Sequence, residues 1–382
     1  MHICFVTSEY PKEGFPHGGI GSFIQTIGQK LHSSGHKVTV VGINNYTKTN
    51  LQENDNGVNI FRLKPKVFKG LTWFLNNASI NRKLKEIHNE DAISVVETAE
   101  LGLAFIKKLK SVKYIIRLHG GHHFFSEAEQ RGISKWKGYQ EKRSFKKSDA
   151  FIAVSNYVKI HTNKYLSYHN KPIVTIRNPV NLDVFAPRID VGMKKHAIVF
   201  AGTVCEKKGV QKLIEAMPLV MQKFPKVRLF IYGRDWFFPD GKSYISFLKE
   251  EVLSQLGKYA DRIHFEGAVS LSDLSEKFAK AEVCVFPSLM ETQGLVVTEA
   301  MAMQKLVINS ELGPGKELVE HKVTGLLCNP YESKDIAKKL IWALNNAETC
   351  DTIRLSARKY VLSEFDTNKL INQNLNFYKS VT

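Results

Sequence analysis

Short β-branched runs alternate with amphipathic helical stretches along this chain, and they do so twice. The first set of strand-like runs is ICFVT (3–7), KVTVVGI (37–43), AISVV (92–96), KYIIRL (113–118), AFIAVS (150–155) and PIVTI (172–176). The second is AIVFAG (197–202), VRLFIYG (227–233), RIHFEG (262–267), EVCVFP (282–287) and KLVIN (305–309). Helical patterns lie between them. In 20–31, Ile20, Phe23, Ile24, Ile27 and Leu31 share one face, and in 210–224, Val210, Leu213, Ile214, Met217, Val220 and Met221 do the same. Strands alternating with helices pair in parallel, so each set predicts a doubly wound α/β sheet. The break between the sets, IRNPVNLDVFAPR (176–188), carries two prolines and turn-forming Asn and Asp, and marks a domain junction. At 382 residues the chain is too long for one ordinary core. The expected division is a first domain over 1–180 and a second over 181–359.

Several classes are excluded by composition. No apolar run approaches the ~18–20 residues of a membrane helix, and MHICFVTSEY enters a strand-like segment without a basic leader or cleavage site. The five cysteines (4, 205, 284, 328, 350) form no C-x-x-C pair and are odd in number, which argues for buried, reduced thiols in a cytoplasmic protein. The net charge of +17 is uneven: residues 1–180 hold 27 Lys and Arg against 13 Asp and Glu. Two segments concentrate it. KPKVFKGLTWFLNNASINRKLKEI (64–87) sets Trp73 among Lys66, Arg82 and Lys83, and RGISKWKGYQEKRSFKK (131–147) sets Trp136 among Lys135, Lys142 and Arg143. Lysines interleaved with aromatics suit an anionic membrane surface or an acidic acceptor. A solvated lysine-rich face is the plain alternative. Nucleic acid ranks last, because no recognised nucleic-acid module is present.

Ligands of paired α/β domains bind beyond the carboxyl ends of the strands, in the cleft between the domains. The first strand ends in the loop SEYPKEGFPHG (8–18), and Gly18, Gly19 and Gly21 permit close backbone approach at a helix start. This is not the dinucleotide fingerprint: position 24 is Ile, and the second strand ends in Gly42-Ile43-Asn44 without an acidic residue. In the second domain FAGTVCEKKGV (200–210) leaves a strand through Gly202 and reaches Lys207 and Lys208 before a helix, a placement suited to a diphosphate.

The stretch LMETQGLVVTEAMA (289–302) then puts two glutamates eight positions apart around a helix start. The N–H groups of Gln293, Gly294 and Leu295 can face a phosphate, while Glu291 and Glu299 would repel it and accept hydrogen bonds from hydroxyls. Hydroxyls flanking a diphosphate describe a nucleotide sugar, with hexose at Glu291 and ribose at Glu299. Two surface glutamates, Glu299 in a favourable first helical turn, are the plain alternative. His119-Gly-Gly-His122-His123 invites a metal reading, but Gly120 and Gly121 disfavour the helix that would put His119 and His123 on one face.

Together these residues resemble the retaining glycosyltransferases of family 4, with the GT-B fold of two Rossmann-like domains facing across a cleft. The resemblance covers nearly the whole chain. It rests on E-x7-E (Glu291 to Glu299, then Ala300-Met301-Ala302), HGGIGSFIQTIGQKLHSSGHKVTVV (17–41), IRNPVNLDVFAP, GKELVEHKVTGLL (315–327) and YVLSEFDTNKLINQNLNFY (360–378). The last is similar to a final helix, about 360–382, that packs back onto the first domain.

The resemblance implies sugar transfer from a UDP- or GDP-linked donor to a hydroxyl of a glycan or lipid-linked acceptor, as in bacterial envelope polysaccharide synthesis. It implies retention of configuration and no metal or other cofactor. Gly19 would lie against the diphosphate, Lys208 would neutralise it as it leaves, and His119 would stand near the transferred sugar. Two departures stand out. Where the family has Gly-Arg this chain has Gly202-Thr203, leaving Lys207 or Arg234 (IYGRD) to supply the cation; its loss would cost several kcal/mol of leaving-group stabilisation. Gln293 stands where the family often has an aromatic residue. The alternatives are a lapsed transferase serving as a scaffold, a GT-B epimerase, which E-x7-E disfavours, and a phosphorylase, for which no lysine-anchored cofactor motif is recognisable.

Overall fold

The computed structural model describes residues 1–15, 18–129 and 131–382. Pro16 and His17, in the glycine-rich loop and at the head of the 17–41 motif, lie outside the described residues. The chain divides into two compact units, Met1–Pro179 with Thr367–Thr382, and Val180–Asp366.

In the first unit β1 (His2–Val6), β2 (Lys37–Ile43), β3 (Leu51–Asp55), β4 (Val58–Leu63), β5 (Val95–Thr98), β6 (Lys113–Leu118), β7 (Ala150–Ala153) and β8 (Ile173–Thr175) form one sheet. Its order is β3-β4-β2-β1-β5-β6-β7-β8. β1 is central: Ile3 pairs with Val38 on one side and Val95 on the other, both in parallel. Helices α1 (Gly19–Ser33), α2 (Thr72–Glu90), α3 (His122–Ala128), α4 (Lys135–Lys147) and α5 (Asn156–Asn163) connect the strands. Ser134 and Ser155 cap α4 and α5, each accepting a backbone N–H from the first turn. The apolar stripe of α1, Phe23, Ile24, Ile27 and Leu31, is buried against β1, β2 and β4.

β3 and β4 depart from the expected all-parallel sheet, since they form an antiparallel hairpin at its edge. The turn is Asn56-Gly57, both with positive φ (49° and 89°), the geometry a two-residue hairpin requires. Asp55-Asn56-Gly57 between alternating runs was the signal for it.

In the second unit β9 (Ala197–Ala201), β10 (Arg228–Tyr232), β11 (Ile263–Gly267), β12 (Val283–Phe286), β13 (Leu306–Ser310) and β14 (Leu326–Cys328) form a parallel sheet of order β11-β10-β9-β12-β13-β14. Its helices are α6 (Val210–Lys223), α7 (Tyr244–Phe247), α8 (Leu271–Lys280), α9 (Leu295–Ala302), α10 (Gly315–Leu318), α11 (Ser333–Asn345) and α12 (Ala347–Glu364).

The tail is not one helix from about 360. α12 stays in the second unit, where Val361 and Phe365 are buried in the core. A break at Phe365-Asp366 starts α13 (Thr367–Val381), which belongs to the first unit. There Leu370, Ile371, Leu375 and Tyr378 join the α1 core. A buried polar network fastens α13: Arg117 pairs with Glu97 (2.6 Å) and donates to Asn374 Oδ1, while Tyr378 Oη donates to Glu97 (2.6 Å). All five cysteines are free and buried.

Candidate active site

In the second unit the strand order reverses between β9 and β12, so the loops leaving these two strands diverge over a crevice at their carboxyl ends. Close backbone approaches fix both loops. Gly209, with φ 68°, sits where a Cβ would lie 1.9 Å from the Pro287 carbonyl oxygen. Beside it the Leu289 N–H donates to the Lys207 carbonyl (2.8 Å). This seam sets Lys208 against Glu291, and the two form an ion pair. Ser288 Oγ donates to the same Glu291 carboxylate (3.3 Å), a partner that the sequence did not single out.

On the other flank of β9, Thr203 meets the loop that follows β10. Gly233 approaches Gly202 so closely that a Cβ on Gly233 would lie 1.7 Å from the Gly202 carbonyl oxygen. Val204 N–H donates to the Arg234 carbonyl (2.9 Å), and Arg234 Nε donates to Thr203 Oγ1 (3.3 Å). The Arg234 guanidinium therefore stands at Thr203, with its side chain exposed.

Gly294 (φ 84°) turns the chain into α9, and the Val297 N–H closes the first turn on its carbonyl (3.0 Å). Gln293 is buried here. A Cβ on Gly294 would lie 3.7 Å from Leu318 Cδ2, so the 315–327 segment packs against the start of α9. Glu299 is not a surface residue of the first turn, as the plain alternative held. It is the fifth residue of α9 and only 8% exposed. Among the described residues its carboxyl has no hydrogen-bond or ion-pair partner, and burial pushes it up to about 7. A carboxylate that is buried without a partner is costly unless a ligand supplies donors.

The remaining sequence candidates lie in the first unit. Gly19 is the first residue of α1, capped by Gly18. His119 follows β6 and packs on Phe23 at 5.5 Å between ring centroids. Desolvation, with the Arg117 charge added, holds its imidazole down to about 3, so it is neutral at physiological pH.

Two buried carboxylates that the sequence reading passed over shape this loop. Glu100 accepts the Gly120 N–H (2.7 Å), and desolvation, reinforced by Glu141, raises it to about 8. Glu141 accepts the N–H groups of His122 and His123 and also bonds His123 Nδ1, thereby capping α3. Glu100, just beyond the end of β5, was legible by position; Glu141 was not, because only tertiary folding brings it to the loop. His122 Nε2 accepts the Ser134 N–H (2.8 Å), and its ring lies 6.2 Å from that of His123 between centroids, while His119 packs on Phe23. Among the described residues no group of three or more His, Cys, Asp or Glu side chains is placed to hold a metal ion.

Two doubly wound units in one chain, each with loops at the carboxyl ends of its own strands, are the class of architecture called GT-B. Residues 17–184 match the family described as Glycosyltransferase Family 4, and residues 183–360 match Glycosyl transferases group 1. An uncharacterized glycosyltransferase of Methanocaldococcus jannaschii is 26% identical, covering 99% of this chain and 98% of its own. Sucrose-phosphate synthase from Thermosynechococcus elongatus superposes with a TM-score of 0.84 at 19% identity, over 99% of this chain and 98% of that one. Anabaena HepE in complex with UDP and glucose does so with a TM-score of 0.78 at 18% identity, over the full length of both. The chain belongs to glycosyltransferase family 4, and it is a glycosyltransferase of the GT-B fold.

Proposed function

We propose that the protein transfers a sugar, with retention and without a metal, from a nucleoside-diphosphate sugar to a hydroxyl of a glycan or lipid-linked acceptor, in the synthesis of an envelope polysaccharide. The observation that carries this reading is the placing of two cations beyond the carboxyl ends of neighbouring strands: Lys208, after β9, in an ion pair with Glu291, and Arg234, after β10, donating to the Thr203 hydroxyl. Lys208 and Arg234 supply the positive charge that a departing diphosphate demands as the glycosidic bond breaks. To Gly19, the first residue of α1, we assign the backbone contact with the diphosphate that the family resemblance implies. Glu291, steadied by Ser288, accepts from the sugar hydroxyls, with the backbone of Gln293, Gly294 and Leu295 beside it. Glu299 accepts from the ribose. His119, neutral across the working range, donates or accepts a hydrogen bond near the transferred sugar without adding charge.

The scaffold alternative drew its support from Thr203. Arg234 at hydrogen-bond distance from that threonine supports a working diphosphate site instead. A lipid-linked acceptor further requires a peripheral enzyme that reaches a bilayer from the water side. Among the described residues no helix is long and apolar enough to cross a membrane.

Melting the protein with UDP, GDP, ADP and CMP in parallel tests the donor reading. UDP comes first because the fold neighbour HepE binds it. A nucleotide at ~100 times its dissociation constant adds about 2.7 kcal/mol, a shift of several degrees. We expect one nucleoside diphosphate to stand out and Lys208→Ala to abolish its shift. No response to any of the four would overturn the reading.

A further inference from the structure

We propose that the first unit carries a docking face for an anionic lipid bilayer, built where the starts of α2 and α4 meet over the 104–107 loop. The face is a tertiary construction. Trp73 of α2 packs on Phe105 (4.5 Å between ring centroids) and on Trp136 of α4 (5.4 Å). Phe105 stacks on Trp136 (5.7 Å), Trp136 on Tyr139 (5.9 Å), and Phe74 meets Trp73 edge-on (6.0 Å). Rings that pack this closely normally make a core. Here Trp73, Phe74, Trp136 and Tyr139 are 41–56% exposed. Val67, Phe68 and Leu71 extend the apolar surface along the approach to α2. A contiguous apolar patch of this kind on a water-facing surface marks an interaction site.

The loop beneath is firmly held. Asn81 of α2 donates to the Phe105 carbonyl (3.0 Å) and accepts the Lys107 N–H (2.7 Å), and Arg143 of α4 donates to the Ala104 carbonyl (2.7 Å). The rings are thus pre-arranged on rigid elements.

Charge selects the partner. Lys135, Lys137 and Lys142 around the α4 rings are all exposed, Arg131 is paired with Glu129, and the helix's one acid, Glu141, is fully buried and turned to His123. Every charge that α4 itself presents to water is therefore positive. A second copy of the chain, docking the same patch on itself, would bring like charges face to face. Single-stranded nucleic acid needs ring faces held apart for bases, and these rings occupy one another. A bilayer surface with anionic headgroups takes both features: the aromatics enter the interface and the lysines meet the headgroups.

The face differs from the sequence expectation at one end. Lys83 is paired with Glu86 (2.6 Å) and lies over Phe61, and Arg82 and Lys83 sit ~14 Å along α2 from Trp73 by the helical rise, so neither belongs to it. Arg143 belongs through its backbone bond and its place over Phe105.

The proposal rests on the first unit alone and is read without nucleotide, so its failure leaves the donor reading standing. The intact protein is floated with vesicles of phosphatidylcholine containing about 30% phosphatidylserine, and with phosphatidylcholine alone. We expect flotation with the anionic vesicles only, reversed by high salt. Lys137→Gln with Lys142→Gln should lower partition about 30-fold, two cations at about 1 kcal/mol each. Phe74→Ser, at the exposed rim, should weaken binding at any salt, with unchanged thermal stability showing that the fold is intact. Equal binding to both vesicles, or none to either, overturns the proposal. So does a dimer that Phe74→Ser dissociates, or retention by a polyanion with none by vesicles.

Discussion

Replacing Glu299 with glutamine should stabilise the protein above neutral pH while weakening its hold on the donor. Glu299 is buried within α9, and burial raises its carboxyl from an ordinary 4.5 to about 7. Between those values the folded state holds a proton that the unfolded chain has released. Stability contributed by the protonated form is therefore complete below 4.5 and is lost as pH rises through 7. A difference of ~2.5 units at about 1.36 kcal/mol per unit gives a penalty of about 3 kcal/mol. Glutamine has the same shape and no charge to desolvate. Parent and Glu299→Gln should thus melt together at pH 4, and the variant should lead by up to about 3 kcal/mol at pH 8. For a unit of this size that is roughly 6–12 °C.

Thermal unfolding of both proteins across pH 4–9 measures it. A variant no more stable than the parent at pH 8 would refute the reasoning, because the carboxylate would then carry no burial cost. The ligand arm has its own sign. Hydroxyl donors favour the charged carboxylate, so nucleotide binding at pH 7 should release protons from the parent and not from Glu299→Gln. Calorimetry in buffers of different ionisation enthalpy reads that difference directly.

Two further outcomes follow from the loops. Arg234→Ala should lower kcat by about 10²–10³, the cost of removing one stabilising group at developing charge, and adding Thr203→Arg should recover much of it; no recovery in a steady-state assay would mean that Arg234 acts elsewhere. Gly209→Ala should cost far more than Gly241→Ala. Both glycines have positive φ (68° and 86°), but only at Gly209 does a Cβ strike backbone, and equal losses in melting temperature would dismiss the Pro287 approach as the reason for glycine.

Much of this architecture is local information. The runs at 37–43 and 113–118 are the observed β2 and β6, because β-branched residues with turn-forming ends encode a strand without reference to neighbours. The E-x7-E spacing likewise puts Glu291 before α9 and Glu299 within it, since a strand, a turn and a helix are consecutive in the chain. The β3–β4 hairpin was equally local, in Asn56-Gly57, and was overlooked because only β4 carries an apolar face, while β3 (LQEND) is polar.

Other features depend on how the pieces pair. Lys208 reaches Glu291 across 83 positions because β9 lies beside β12 in the sheet, and no periodicity in either strand states that order. Arg234 stands at Thr203 because β10 flanks β9 on the other side. The burial of Glu299 is invisible in LVVTEAMA, where a glutamate in a helix ordinarily faces water; what closes over it is the packing of α9 in the second unit. Trp73 and Trp136 looked like two separate aromatic segments until α2 and α4 met over the 104–107 loop. Sequence alone determined the elements and which residue types end them, because backbone propensity and burial periodicity act over a few residues. Tertiary structure decided which ends face each other, because strand order and helix packing are settled by surfaces that lie far apart in the chain.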